Sequence, residues 1–178
     1  MALKPTIFKF AVALSDVDKN RYLDLSLTLA QHPSETIERM MVRLLAYCLN
    51  AEEGLEFTRG LSESNEPDLR QRSLDGRLIQ WIDVGEPAVE RLRKASRVAE
   101  QVLVYSFNSK SPVWWRQSRD GIEGLGVKVF QLDWEVICEL AKLVHRKSQL
   151  SVTVTGMAAF VAAESGSVNL SWRELTVA

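Results

Sequence analysis

Residues 8–14 alternate between large apolar side chains and small or polar ones. Phe8, Phe10, Val12 and Leu14 stand against Lys9, Ala11 and Ala13. A period of two places the four large side chains on one face of an extended strand. The same period returns after the turn cluster 15–20, where Leu23, Leu25, Leu27 and Leu29 alternate with Tyr22, Asp24, Ser26 and Thr28. Two such runs joined by a polar turn specify an N-terminal β-hairpin that must find an apolar cover. The chain has material for one. Its 178 residues are 46% hydrophobic and 25% charged, the balance of a single soluble domain spanning 1–178 rather than of a disordered chain. Lysine and arginine (22) nearly cancel aspartate and glutamate (23), which excludes a uniformly basic nucleic-acid coat but leaves room for a local basic groove.

No run approaches the roughly 18 apolar residues of a membrane span. Lys4 followed by apolar residues imitates a secretory leader, but Lys9 interrupts it and the strand pattern accounts better for the same residues. Cys48 and Cys138 lie in apolar helical patterns and read as buried free thiols of a reducing, cytoplasmic protein. With His32 and His145 they form no metal-ligand spacing, so a sequence-local zinc site is unsupported.

After the hairpin, Ser34 is placed to cap a helix running to about residue 50. Glu35 and Glu38 sit at its positive end, and Ile37, Met40, Met41, Leu44, Leu45 and Cys48 form its apolar stripe. A short strand is expected over 55–58 and a short strand or turn from Asp68, with Asp75-Gly76 as a hairpin turn before a strand over 78–84. Gly85-Glu86-Pro87 ends that strand and opens a helix, with Pro87 suited to its first position and Ala88, Leu92, Ala95 and Ala99 as its buried stripe. A central strand over 102–107, a helix over 111–121, a strand over 127–132, and a helix from the cap Asp133 to about 144 follow. Strands over 151–155, 159–163 and 168–173 close the chain. The class is mixed α/β (α+β).

Two acids stand out in the middle block. Asp68 opens one strand and Asp83 closes the next, so antiparallel pairing makes them neighbours at one rim. Two carboxylates about 4 Å apart repel by about 4 kcal/mol at an effective dielectric near 20. A divalent cation, a lysine or a shared proton must offset that. Hard oxygen ligands suit Mg2+ or Mn2+, which can polarise a phosphoryl oxygen and activate water. The plainer alternative is a pair of solvated strand-end acids.

Pro67-Asp68 and Asp83-Val84-Gly85, set in a helix–strand–strand–strand–helix–strand order, resemble the PD-(D/E)XK nuclease superfamily. That resemblance implies an αβββαβ core, here with an N-terminal hairpin and additional C-terminal strands. It implies that Asp68 and Asp83 hold the metal and that a glutamate of the first helix assists, Glu38 matching best and Glu35 second. Gly85 occupies the place of the superfamily's lysine. Some members supply that lysine from the following helix, where Lys94 corresponds, with Lys110 as another donor. Over nearly its whole length the chain resembles the YaeQ family of bacterial proteins. Met1-Ala2-Leu3-Lys4, the segment 28–36, Glu38-Arg39-Met40-Met41, Phe57-Thr58-Arg59-Gly60-Leu61, the segment 81–85 and Tyr105-Ser106-Phe107-Asn108-Ser109 carry the likeness. It implies a variant of the same fold with extra strands.

The leading expectation is a Mg2+- or Mn2+-dependent phosphodiesterase or nuclease acting on DNA or RNA. Asp68 and Asp83 hold metal, Glu38 assists, Lys94 positions water, and Arg59, Arg91 and Arg97 contact phosphate. The rival is a non-catalytic module on the same fold that binds a nucleic acid or a protein. Trp114-Trp115-Arg116 with Arg119 mixes aromatic and basic groups as a base-stacking surface does, against the plainer reading of one core tryptophan and solvated arginines. Asp16 to Asn20 imitates a calcium loop, but Arg21 and Leu27 stand where glycine and glutamate are required. Residues 121–126 are glycine-rich but precede a strand, so no nucleotide cofactor is expected.

Overall fold

A computed structural model describes residues 3–176; Met1 and Ala2 of the opening motif lie outside the described residues. The elements run β1 Thr6–Asp16, β2 Arg21–Gln31, α1 Ile37–Leu49, β3 Leu55–Phe57, β4 Leu69–Arg72, β5 Leu78–Val84, α2 Val89–Val98, β6 Gln101–Ser106, α3 Ser111–Ile122, β7 Val127–Leu132, α4 Trp134–Ala141, β8 Lys147–Thr155, β9 Ala158–Ala163 and β10 Gly166–Glu174. The fold is mixed α+β, with four α-helices among the described residues. Two compact units divide it: residues 1–49 with 133–172, and residues 50–132 with 173–178.

In the first unit β1 and β2 form the expected hairpin, with Phe8 opposite Leu29 and Phe10 opposite Leu27. Asn20 takes the positive φ of the turn (49°), which asparagine tolerates. On its other edge β1 pairs with β8 in parallel, and β9 and β10 extend the sheet antiparallel. Phe8, Phe10, Val12 and Leu14 are all buried, together with Val152, Val154 and Val161. The apolar stripe of α1 is buried from Met40 to Cys48, and α1 packs against α4, whose Ile137 and Leu140 are buried as well. The start of α1 departs from expectation. Thr36, not Ser34, caps it, its Oγ1 accepting from the Arg39 N–H at 3.2 Å. Ser34 instead turns to the His32 ring. Glu35 lies before the first turn of α1, buried and paired with Arg43.

In the second unit β3, β4 and β5 form an antiparallel meander, and β5, β6 and β7 run parallel. Parallel neighbours need crossovers, and α2 and α3 supply them. Both helices cover one face, where Trp81, Leu92, Ala95, Val102, Val104, Ile122, Val127 and Val129 form the core. Gly121 lets them approach closely, because a Cβ there would lie 2.8 Å from Val89 Cγ1. β6 is buried on both faces from Val102 onward, as a central parallel strand should be. Pro87 falls one residue before the helix cap Ala88, so it positions the entry to α2 rather than its first turn. After Asp133 caps α4 the helix stops at Ala141, short of residue 144, and β8 begins four residues earlier than its alternation suggested. The C-terminal segment runs along β7, the Leu175 N–H donating to the Val129 carbonyl at 2.8 Å.

Candidate functional site

The β4–β5 register sets Leu69 opposite Ile82, which brings Asp68 beside Asp83 as the hairpin geometry requires. Both acids are buried, at 4% and 2% exposure, rather than solvated at a rim. Burial pushes the Asp83 carboxyl above its ordinary range. The nearby Asp68 charge adds to that, and Arg91 opposes it. The offsetting cation is an arginine rather than a lysine. Arg91, in the first turn of α2, grips Asp83 in a two-pronged pair, Nε to Oδ2 at 2.8 Å and Nη2 to Oδ1 at 3.0 Å. Such forks are among the stronger ion pairs because geometry and charge agree. The same guanidinium donates to the carbonyls of Ser64 and Glu66 and lies over the Trp81 ring, 5.4 Å from its centre. Asp68 Oδ2 accepts the Val84 N–H at 2.8 Å. Its Oδ1 faces the loop at Gly60, where an added Cβ would come within 3.2 Å.

The other expected site residues are placed as follows. Glu38 lies in the first turn of α1, in the first unit. Its charge, with burial as the larger cause, raises the Cys138 thiol on α4. Glu35, the second choice, is held by Arg43 through Nε at 2.9 Å and Nη2 at 2.5 Å, and by Arg39 at 2.7 Å. Lys94 and Arg97 are exposed on α2. Arg59 is exposed and pairs with Glu63 at 3.5 Å. Arg91, expected on phosphate, is committed to Asp83. Gly85 sits at φ +108°, with open space where a Cβ would project. Lys110 is exposed at the N-cap of α3.

One residue escaped the sequence reading. The Glu86 carboxylate accepts the Asn108 N–H at 2.8 Å, the Ser111 hydroxyl at 2.6 Å and the Asn108 side-chain amide at 3.1 Å. Glu86 thus ties the turn that leads into α3, through backbone and side-chain donors that lie before the helix and through the Ser111 hydroxyl at its first residue. The signal was the polar run 108–111 before a helix, a turn whose backbone and side-chain donors need an acceptor.

A Mg2+ or Mn2+ ion takes about six oxygen ligands. Here both Asp83 oxygens meet a guanidinium and one Asp68 oxygen meets an amide. Among the described residues no group of three or more His, Cys, Asp or Glu is placed to hold a metal ion. In this arrangement the residues do not fit a divalent cation.

Fold and site together define a mixed α+β protein with two adjacent buried carboxylates at the end of a β-meander, one of them gripped by an arginine. The family model for the YaeQ protein matches residues 1–172, and the chain belongs to the YaeQ family. It is 40% identical over 156 residues to the Escherichia coli (strain K12) protein named Uncharacterized protein YaeQ, and 41% identical to the Salmonella typhi protein of that name, covering 86% of each chain in both cases. The crystal structure of the YaeQ protein from Xanthomonas axonopodis pv. citri superposes with a TM-score of 0.93 at 36% identity, covering 98% of this chain and 99% of that one. The YaeQ protein from Pseudomonas syringae gives the same score and identity, with 98% and 97% covered.

Proposed function

We propose that the protein is a non-catalytic module that binds the phosphate backbone of nucleic acid through the α2–α3 face of its second unit. The observation that carries the non-catalytic part is the Arg91–Asp83 fork, which supplies from within the charge a metal would otherwise bring. The αβββαβ order of α1, β3, β4, β5, α2 and β6 supports a PD-(D/E)XK-like scaffold for it. The binding face is argued from charge. Residues 89–98 and 110–122 carry seven cations (Arg91, Arg93, Lys94, Arg97, Lys110, Arg116, Arg119) against two acids, in a chain whose net charge is −1. Of these, Lys94, Arg97, Lys110, Arg116 and Arg119 are exposed. Local positive fields of this kind attract phosphate whatever the base sequence. The two free thiols are consistent with a cytoplasmic setting.

A second reading keeps Asp68 and Asp83 as ligands of Mg2+ or Mn2+ in a nuclease, with Glu38 and Lys94 assisting. The adjacency of two buried acids favours it, but it requires Arg91 to leave Asp83. Fluorescence anisotropy with labelled strands and duplexes, in Mn2+ buffer, separates the two. The expected result is salt-sensitive binding, weakened by the double variant Lys94→Glu/Arg97→Glu, with the nucleic acid left intact. No binding at low salt overturns the proposal. Cleavage that disappears in Asp83→Asn would establish the nuclease instead.

A further inference from the structure

A cavity of about 430 Å³ opens in the second unit between the end of α3, the start of β7 and the segment 174–176. That volume lies in the range of sites that hold small ligands. Trp115 forms one wall; it packs partly on the core, which fixes its ring, and the rest of it faces the cavity with Leu175. Arg119 and Lys128 bring two cations to the rim, and Asp120, Glu123 and Glu174 bring three carboxylates. Among the described residues Arg119 pairs with its exposed neighbour Asp120, at 3.5 Å, a pairing of little energetic weight. A bare phosphate is poorly served by this mixture, because the acids outnumber the cations. A nucleotide is served by all of it. Its base stacks on an indole, its phosphate meets a guanidinium or an ammonium, and a carboxylate accepts from an exocyclic amino group, as acids do from cytosine N4.

We infer that this cavity takes one unstacked, amino-bearing base from a single strand whose backbone runs over the α3 cations. The inference rests on the backbone-binding reading and adds to it a preference for single strands, and for adenine or cytosine over thymine. A base inside a duplex is paired on that edge and stacked on both faces, so it cannot enter.

The test is anisotropy with short labelled oligo(dA), oligo(dC) and oligo(dT) and with a blunt duplex, at one low salt concentration. Oligo(dA) and oligo(dC) bind more tightly than oligo(dT) and the duplex. Trp115→Leu lowers strand affinity about tenfold, within the range for loss of one stacked base, and leaves duplex affinity unchanged; Trp115→Phe keeps most of the strand affinity. Should Trp115→Leu not fold, Lys128→Glu, an exposed change off the α2–α3 face, carries the same contrast. Equal affinity for strand and duplex, insensitive to these variants, overturns the pocket and leaves backbone binding standing. Displacement of the strand by adenosine monophosphate at matching concentration overturns the strand assignment in favour of a free nucleotide. No binding of any probe removes the backbone reading and this one with it.

Discussion

Arg91 holds together a part of the molecule that would otherwise repel itself. Asp83 is almost fully buried, while the Arg91 side chain is 29% exposed. Breaking a buried pair from one side leaves an uncompensated charge, at a cost of about 3 kcal/mol, the low end of the usual range because the guanidinium is partly solvated. Arg91→Met should therefore destabilise the protein by about that amount near neutral pH. The loss should depend on pH. Burial raises the folded-state pKa of Asp83 above its unfolded value, and removing Arg91 raises it further. A raised carboxyl contributes stability that is fully present below the unfolded pKa, about 3.9, and lost as pH rises through the folded one. The variant's deficit relative to wild type should shrink toward mildly acidic pH and grow toward neutral pH. Urea unfolding of both proteins across that window checks it; a deficit independent of pH would show that packing against Trp81, not charge, is what Arg91 provides.

Where β5 ends, Gly85 is the element-scale counterpart of the same question. Its φ of +108° lies where L side chains are strained, although nothing would obstruct a Cβ. Gly85→Lys restores the lysine spacing of a nuclease motif and should cost about 1–3 kcal/mol of torsional strain. Thermal unfolding measures the cost, and an Mn2+ cleavage assay on the same sample should stay blank, because Arg91 still occupies Asp83. Helix α2 serves two purposes along its length. Its first turn reaches back to Asp83, and its later turns present Lys94 and Arg97 to solvent. A wheel drawn on the sequence separates Lys94 from the Leu92–Ala95 stripe, and both of those are buried while Lys94 is exposed. The wheel places Arg91 at the stripe's edge, where a long side chain can run along the core and set its charged end on a buried acid.

For the whole molecule, net charge nearly vanishes, so any attraction to nucleic acid must come from one face. Each phosphate contact removed should reduce the slope of log affinity against log salt by about 0.7–0.9. Lys94→Glu/Arg97→Glu should flatten that slope by about two such steps with little change in stability, since neither side chain has an ion-pair partner among the described residues. A salt titration of strand binding measures it, and an unchanged slope would move the binding face elsewhere. The hairpin, the helix stripes and the Asp68–Asp83 adjacency could all be read from the chain alone. Each is set by a period of two or 3.6, or by a turn, within about thirty residues. The identity of the counter-ion could not. Among lysine, metal, shared proton and arginine, only the docking of α2 on the β-meander selects Arg91, and that docking depends on Leu92, Ala95 and Trp81 packing across strands. The same holds for the parallel pairing of β1 with β8 and for the cavity beside Trp115. Their partners are distant in sequence, and close packing, not local pattern, decides which surfaces meet.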